Sequence, residues 1–368
     1  MRAIVYTIVT SNCLFQARTL MESVAKHWPD AGRRVVIVDG SDEVGANSEG
    51  FEVIAGDRLG LPRFRHHAFL LDGVSLCCLL KPLAALHLLE SEGPDALVYL
   101  DGDTCLYARP DALLEALEQF PIVLTPHVLA PLPPGQIRDD FNLLRSGAFN
   151  AGCFALRAGP VARRFLGWWG GNLDQPGHVS PAWSYDQAWL NLTPLFFPEL
   201  GILRDPGYNV AYWNLYERPL TADETGTVRV AGLHPLVLFH FSFFRADRPD
   251  VFAYRGNVHL RIETEPLRSL ARAYAERLSA HGRQTLQAQP YRYDRFTDGT
   301  PVTALHRAYY AARAAGATDR DGDPFDPAFA PPGCRGLKAV YRANHWLVRS
   351  LRWFRLLGRT LLHPETRS

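Results

Sequence analysis

The run Leu97-Val98-Tyr99-Leu100 stops abruptly at Asp101-Gly102-Asp103-Thr104. An apolar run of this length, bounded by turn residues, reads as a buried strand. A strand that ends this way delivers both acids to the carboxyl edge of its sheet, where α/β proteins bind ligands. Neighbouring carboxylates repel, so they seldom share a cleft without a cation. Hard oxygen ligands suit Mg²⁺ or Mn²⁺, which keep coordination places open for phosphate oxygens. The residues therefore point to a metal that grips a diphosphate. Taken alone, Asp-x-Asp is a short motif that ordinary polar turns also satisfy, so the rest of the chain has to decide.

The surrounding pattern is β-α-β. Ala3 to Val9 reads as a buried strand, Phe15 to His27 as an amphipathic helix, and Arg34 to Val38 as a second strand ending in Asp39-Gly40. That order begins a parallel sheet flanked by helices. Leu79 to Glu92 has helical character, with Pro82 suited to its first turn, and Gly93-Pro94 ends it. Further strands are expected at Ala96 to Leu100, Ile122 to Thr125, Phe149 to Leu156 and Pro235 to Phe244. Helices are expected at Asp111 to Phe120, Val161 to Trp169 and Asp186 to Leu192. After about Asn257 the chain becomes Arg- and Ala-rich. We expect three segments: 1–256 as the catalytic α/β domain, 257–336 as a helical and loop extension, and 337–368 as a basic amphipathic tail.

Bulk properties exclude several classes. With 368 residues, 47% of them hydrophobic, the chain can bury a large core. A net charge of +1 lacks the basic excess of a nucleic-acid binder. The six cysteines form no spaced metal set and are too few for a disulfide framework. The reading is cytoplasmic. The N-terminus suits a first strand better than a signal peptide, and no apolar stretch looks long enough to span a bilayer.

The ordered residues resemble a known family. They are Thr10-Ser11-Asn12, Asp39, Lys81-Pro82, Tyr99 to Thr104, Phe149-Asn150-Ala151-Gly152, Asp186-Gln187-Ala188-Trp189-Leu190-Asn191 and Phe239-His240-Phe241-Ser242. Their order and spacing resemble the GT-A glycosyltransferases, of the glycosyltransferase family eight type and its bacterial relatives. The stretch from Pro290 to Gly299 also looks like a tail found in some bacterial members. The resemblance implies a Rossmann-like mixed sheet flanked by helices, with a C-terminal helical extension. It implies a metal-dependent, hexosyltransferase-type enzyme using a nucleotide-diphosphate sugar, most often UDP-linked, with Mn²⁺ or Mg²⁺ and retention of configuration. Asp101, Asp103 and His240 would hold the metal. Asp186 and Gln187 would act on the donor sugar. Thr10, Asn12, Asp39, Lys81, Asn150 and Gly152 would bind the nucleotide sugar. The acceptor would be a glycan or a lipid-linked glycan.

Each residue also has a plainer explanation: a core histidine for His240, a helix-start acid for Asp186, a strand-edge turn for Asn150 and Gly152, and ordinary loop polarity for Thr10, Asn12 and Asp39. One departure stands out. The family usually follows its His with Gly and then Lys-Pro. Here Phe243 replaces the Gly and no Lys follows, leaving Arg245 or Arg248 as alternative phosphate clamps.

Two rivals compete with the transferase. A haloacid dehalogenase-type phosphatase also carries Asp-x-Asp after a strand, but there the pair follows the first strand and its Thr lies two residues beyond the second Asp. A non-catalytic GT-A-like nucleotide-sugar binder stays open because of the altered sequence after His240. The tail from Leu337 to Leu362 places Lys338, Arg342, His345, Arg349, Arg352 and Arg359 opposite Val340, Leu347, Leu351, Phe354 and Leu361. Such a helix either lies on an anionic membrane at its inner face or packs on the catalytic domain.

Overall fold

The computed structural model describes residues 1–40, 50–131, 133, 143–144, 146–174, 186–253, 259–314 and 322–329. The basic tail at 337–362 lies outside them. The chain divides into two compact units, Met1–Pro62 with Gly73–Arg292, and Arg63–Asp72 with Tyr293–Ser368. The change of sequence character near residue 256 does not coincide with this division. Helix Glu265–Ala280 belongs to the first unit, where Tyr274 stacks on Phe241 with ring centroids 3.7 Å apart.

The first unit is built on a seven-stranded mixed sheet flanked by helices, the architecture that the resemblance requires. Its strands are β1 (Ala3–Val9), β2 (Gly32–Ile37), β3 (Glu52–Ala55), β4 (Ala96–Leu100), β6 (Ile122–Pro126), β7 (Phe149–Arg157) and β8 (Leu200–Ile202), while β5 (Thr104–Leu106) lies outside it. The order across the sheet is β3-β2-β1-β4-β7-β6-β8. β1 runs parallel to both β2 and β4, whereas β7 is antiparallel to β4 and β6. The central strands β1 and β4 are buried throughout, which is why they read as unbroken apolar runs.

Side chains alternate between faces. Val5, Val9, Val98 and Leu100 pack with Leu20, Met21 and Val24 of helix Leu14–His27. On the other face Tyr6, Tyr99, Phe154 and Trp169 form a row of touching rings 5.0 to 5.3 Å apart. The chain goes outward from β1 through β2 to β3, then returns to β4 on the opposite side of β1. That reversal makes a switch point, and the crevice beyond the carboxyl ends of β1 and β4 is where such sheets hold ligands.

Several local expectations change. Helix Gly73–Ser91 begins well before Leu79, so Pro82 is internal rather than in the first turn. The helix also has the length and mean hydropathy, 1.4 over 18 residues, to cross a bilayer, contrary to the sequence reading. Its buried side contributes Leu76, Leu80, Ala84 and Leu88 to the core. The stretch Pro235 to Phe244 is not one strand. A short piece at His234–Pro235 joins a small sheet, and Leu238–His240 pairs with β5 instead.

The second unit, among its described residues, centres on Phe69, which touches Phe296, Tyr310 and Phe325. Arg307 donates to the carbonyls of Ala68, Phe69 and Leu71, satisfying the end of helix Phe64–Leu70.

Candidate active site

The turn after β4 is closed by Thr104, whose backbone N–H and Oγ1 both donate to the Asp101 carbonyl, at 3.0 and 2.7 Å. Gly102 has no room for a side chain, since a Cβ there would lie 2.8 Å from Val9 Cγ1. The two acids are therefore held by a turn packed onto β1. β5 then pairs with Leu238–His240, matching His240 to Thr104. This ribbon brings the distant imidazole to the acids. His240 Nε2 lies 3.1 Å from Asp103 Oδ1 and 4.0 Å from Asp101 Oδ2. One ligand atom from each of Asp101, Asp103 and His240 falls within 4.8 Å of the other two. Burial opposes the charge on both partners of the closer contact. The pair outweighs it, raising His240 and lowering Asp103 from their ordinary pKa values.

Gly152 lets these groups approach its backbone closely. A Cβ on Gly152 would lie 2.5 Å from Asp101 Oδ2 and 2.7 Å from both Asn150 Oδ1 and His240 Cε1. Two carboxylates and an imidazole brought together against a backbone that carries no side chain fit a hard divalent ion. The ring is also oriented from behind, with Nδ1 3.2 Å from Asn209 Oδ1. If Nδ1 carries the proton toward that acceptor, Nε2 presents its lone pair to the acids, as a metal-bound histidine requires.

Lys81 ties this cluster to a second acid. It is 4% exposed, with Nζ 2.7 Å from Asp186 Oδ2, 3.2 Å from Asp101 Oδ1 and 3.1 Å from the Ala151 carbonyl. These contacts tie the ammonium to both acids and to the start of β7. Burial opposes the charge, but Asp101 and Asp186 hold Lys81 well above the ordinary lysine value. Asp186 stands just before the short helix Gln187–Leu192 but makes no capping hydrogen bond; it turns inward to Lys81. Gln187 donates from Nε2 to the Ser146 carbonyl and accepts the Ala151 N–H on Oε1 at 3.1 Å. Asn150 Oδ1 accepts the Gly152 N–H at 2.8 Å, and its Nδ2 meets His127 Nε2 at 3.1 Å. All of these side chains gather around the start of β7.

Thr10, Asn12 and Asp39 form a separate group at the ends of β1 and β2. Asp39 accepts from Ser11 N–H at 2.6 Å, Ser11 Oγ at 3.0 Å and Arg292 N–H at 3.2 Å. Thr10 Oγ1 donates to Asn12 Oδ1 at 2.6 Å, and Asn12 Nδ2 donates to the Gln289 carbonyl at 3.3 Å. The Pro290-Tyr291-Arg292 stretch thus reaches this edge. Of the alternative clamps, Arg245 is exposed and paired with Asp247 at 2.8 Å, and Arg248 is exposed.

Sequence reasoning missed Asn209, Trp213, Asn214 and His127. Trp213 packs edge-on against His240 at 5.3 Å and donates from Nε1 to the His127 carbonyl at 3.1 Å. Asn214 Nδ2 donates to the carbonyls of His127 and Asn209, both at 2.9 Å. The available signal was two asparagines and a tryptophan inside the apolar run Tyr208 to Leu215.

No protein-family model matches the chain. The uncharacterized protein YfnF of Bacillus subtilis (strain 168) is 24% identical over 179 residues, 47% of this chain. The match spans only 58% of that relative's length. Similar solved structures include the galactosyltransferase LgtC in complex with donor and acceptor sugar analogs. It is 13% identical, with a TM-score of 0.46, covering 75% of this chain and 95% of that one. The glycosyltransferase GlyE of Streptococcus pneumoniae TIGR4 is 14% identical, with a TM-score of 0.40, covering 80% and 67%. Mouse xyloside xylosyltransferase 1 is 11% identical, with a TM-score of 0.38, covering 65% and 97%. Scores this low describe a partial likeness in chain course and do not by themselves assign an activity.

Proposed function

We propose that this chain is a metal-dependent glycosyltransferase. It moves a hexose-type unit from a nucleoside-diphosphate sugar of the UDP class to a glycan or lipid-linked acceptor. The observation that carries the reading is the convergence of Asp101, Asp103 and His240 against the side-chain-free backbone of Gly152, at the switch point of the sheet. A divalent cation held there, Mn²⁺ or Mg²⁺, supplies positive charge against the leaving diphosphate. Asn209 orients the His240 ring, and Lys81 fixes Asp101 and Asp186 relative to each other.

Asp186, Gln187 and Asn150 line the β7 side of the site and suit the hydroxyls of the donor sugar. Asp186 is committed to Lys81, and Gln187 is a neutral amide held at both ends. Neither is a free nucleophile. That argues against double displacement, so the retention implied by the resemblance would take a front-face route in which the leaving phosphate assists the acceptor. Thr10, Asn12 and the backbone around Asp39 suit the nucleoside.

The test is turnover of UDP-glucose and UDP-galactose with Mn²⁺, with NMR of the first product. Turnover that persists in EDTA rejects the metal, and an inverted anomeric centre rejects retention. A non-catalytic binder is the second reading, favoured by Phe243 standing where the family's Gly belongs; binding of UDP and Mn²⁺ without any turnover selects it. The tail at 337–362 supports docking on an anionic membrane from the cytoplasmic side, each basic residue contributing about 1 kcal/mol. Sedimentation with anionic liposomes, compared with a chain ending near Pro332, tests this. Equal recovery of both in the supernatant at low salt rejects it.

A further inference from the structure

The stretch from Gln289 to Arg292 is pinned to the carboxyl edge of the sheet at three points. Asn12 Nδ2 donates to the Gln289 carbonyl at 3.3 Å. Tyr291 is buried against the start of helix Gly73–Ser91, where a Cβ on Gly73 would lie 3.4 Å from Tyr291 Cε2. The Arg292 N–H donates to Asp39 Oδ2 at 3.2 Å, and Asp39 is itself buried. A backbone held this way gives the Arg292 side chain a fixed origin. Its guanidinium lies over Gly40, at the end of β2, with Nη1 4.0 Å from where a Cβ of that glycine would stand. The residue is nevertheless exposed, and no carboxylate or carbonyl among the described residues accepts from its guanidinium. Other arginines of the same unit are occupied: Arg277 by Glu22, Arg268 by Glu265 and Arg245 by Asp247. Arg292 thus brings unused N–H donors to the edge where sheets of this kind take ligands.

We propose that Arg292 binds the base of the donor nucleotide, its guanidinium donating to a ring carbonyl; it is a binding residue rather than a catalytic one. The proposal rests on the glycosyltransferase reading. Its place in the sheet selects the part of the donor. β2 is separated from β4 by β1, a step of about 10 Å. A diphosphate held at Asp101, Asp103 and His240 leaves the nucleoside to cross β1 toward Asp39 and Arg292. A guanidinium has N–H donors and no acceptor. It therefore suits uracil, which presents the O4 acceptor, and opposes cytosine, which carries an amino donor at the same position.

The experiment is calorimetry on the full chain with Mn²⁺ present, using UDP, CDP and inorganic pyrophosphate as probes. Wild type is compared with Arg292→Ala and Arg292→Lys. Any residue with a backbone N–H keeps the bond to Asp39, so both variants should melt within about 2 °C of wild type. Wild type should bind UDP about 10-fold more tightly than CDP. Arg292→Ala should abolish that preference by weakening UDP while leaving pyrophosphate unchanged. Arg292→Lys keeps the charge but not the planar fork, and should lose most of the preference as well. An unchanged ratio of UDP to CDP affinity in Arg292→Ala overturns the proposal. So does an equal loss of pyrophosphate affinity, which would put the guanidinium on phosphate instead of the base. If wild type binds neither UDP nor CDP, the glycosyltransferase reading fails and the assignment of Arg292 falls with it.

Discussion

At the ends of β1 and β2 the polar side chains bind one another; at the end of β4 two carboxylates and an imidazole converge. Asp39 spends its carboxylate on Ser11 and on the Arg292 backbone, and Thr10 and Asn12 are linked to each other. Asp101, Asp103 and His240 bring their ligand atoms within 4.8 Å of one another, close against Gly152, which has no side chain to keep them off. The first arrangement shapes a wall, since a carboxylate saturated by N–H and O–H donors has little left for a ligand. The second stores like charge in one place, which is stable only while a cation, an imidazolium or Lys81 offsets it.

The contrast can be broken at either edge. The largest effect is expected from Asp103→Ala, which should remove Mn²⁺ binding measured by calorimetry while the far-ultraviolet circular dichroism stays unchanged; retained affinity would show that the cluster is not a metal site. Next, Lys81→Met leaves Asp101 and Asp186 without their shared cation. It should destabilise the fold by about 3–5 kcal/mol in urea unfolding. A loss under 1 kcal/mol would mean that the acids find water instead. Asn209→Gly keeps a left-handed backbone but removes the acceptor behind His240. It should weaken Mn²⁺ about 10- to 100-fold, or about 1.4–2.8 kcal/mol. Asp39→Asn should cost about 2 kcal/mol of stability through lost charge-assisted hydrogen bonds, with Mn²⁺ affinity unchanged. If Asp39→Asn weakens Mn²⁺ as much as Asn209→Gly does, the two edges are one site and the distinction is wrong.

What could be read in advance follows the same division. β1 and β4 were legible because strands buried on both faces must be apolar throughout. The acids were legible because two charges at a strand end demand an explanation. His240 could be named from the resemblance, yet the sequence does not reveal the ribbon with β5 that delivers it. Pro82 misled, because its local preference for a first turn yields to a helix already begun at Gly73. Lys81 could be named from the resemblance, but only packing reveals that it bridges Asp101 and Asp186. Asn209 and Asn214 carry no motif at all. Their role comes from a fold that places one loop behind an imidazole, and Asn209 suits its position because asparagine tolerates φ of 51°.

The ribbon that joins Thr104 to His240 closes a very long stretch of chain. Its halves must meet before the imidazole and the acids exist as one group, and closing a loop of that length is an entropic cost borne before any ligand can contribute. A cation bound there would then act as a clasp on a loop already shut. It should slow unfolding far more than it speeds folding, which stopped-flow rates with and without Mn²⁺ would separate. The same clasp makes occupancy a global property, because releasing the ion frees the Asp101 turn and the Leu238–His240 strand together.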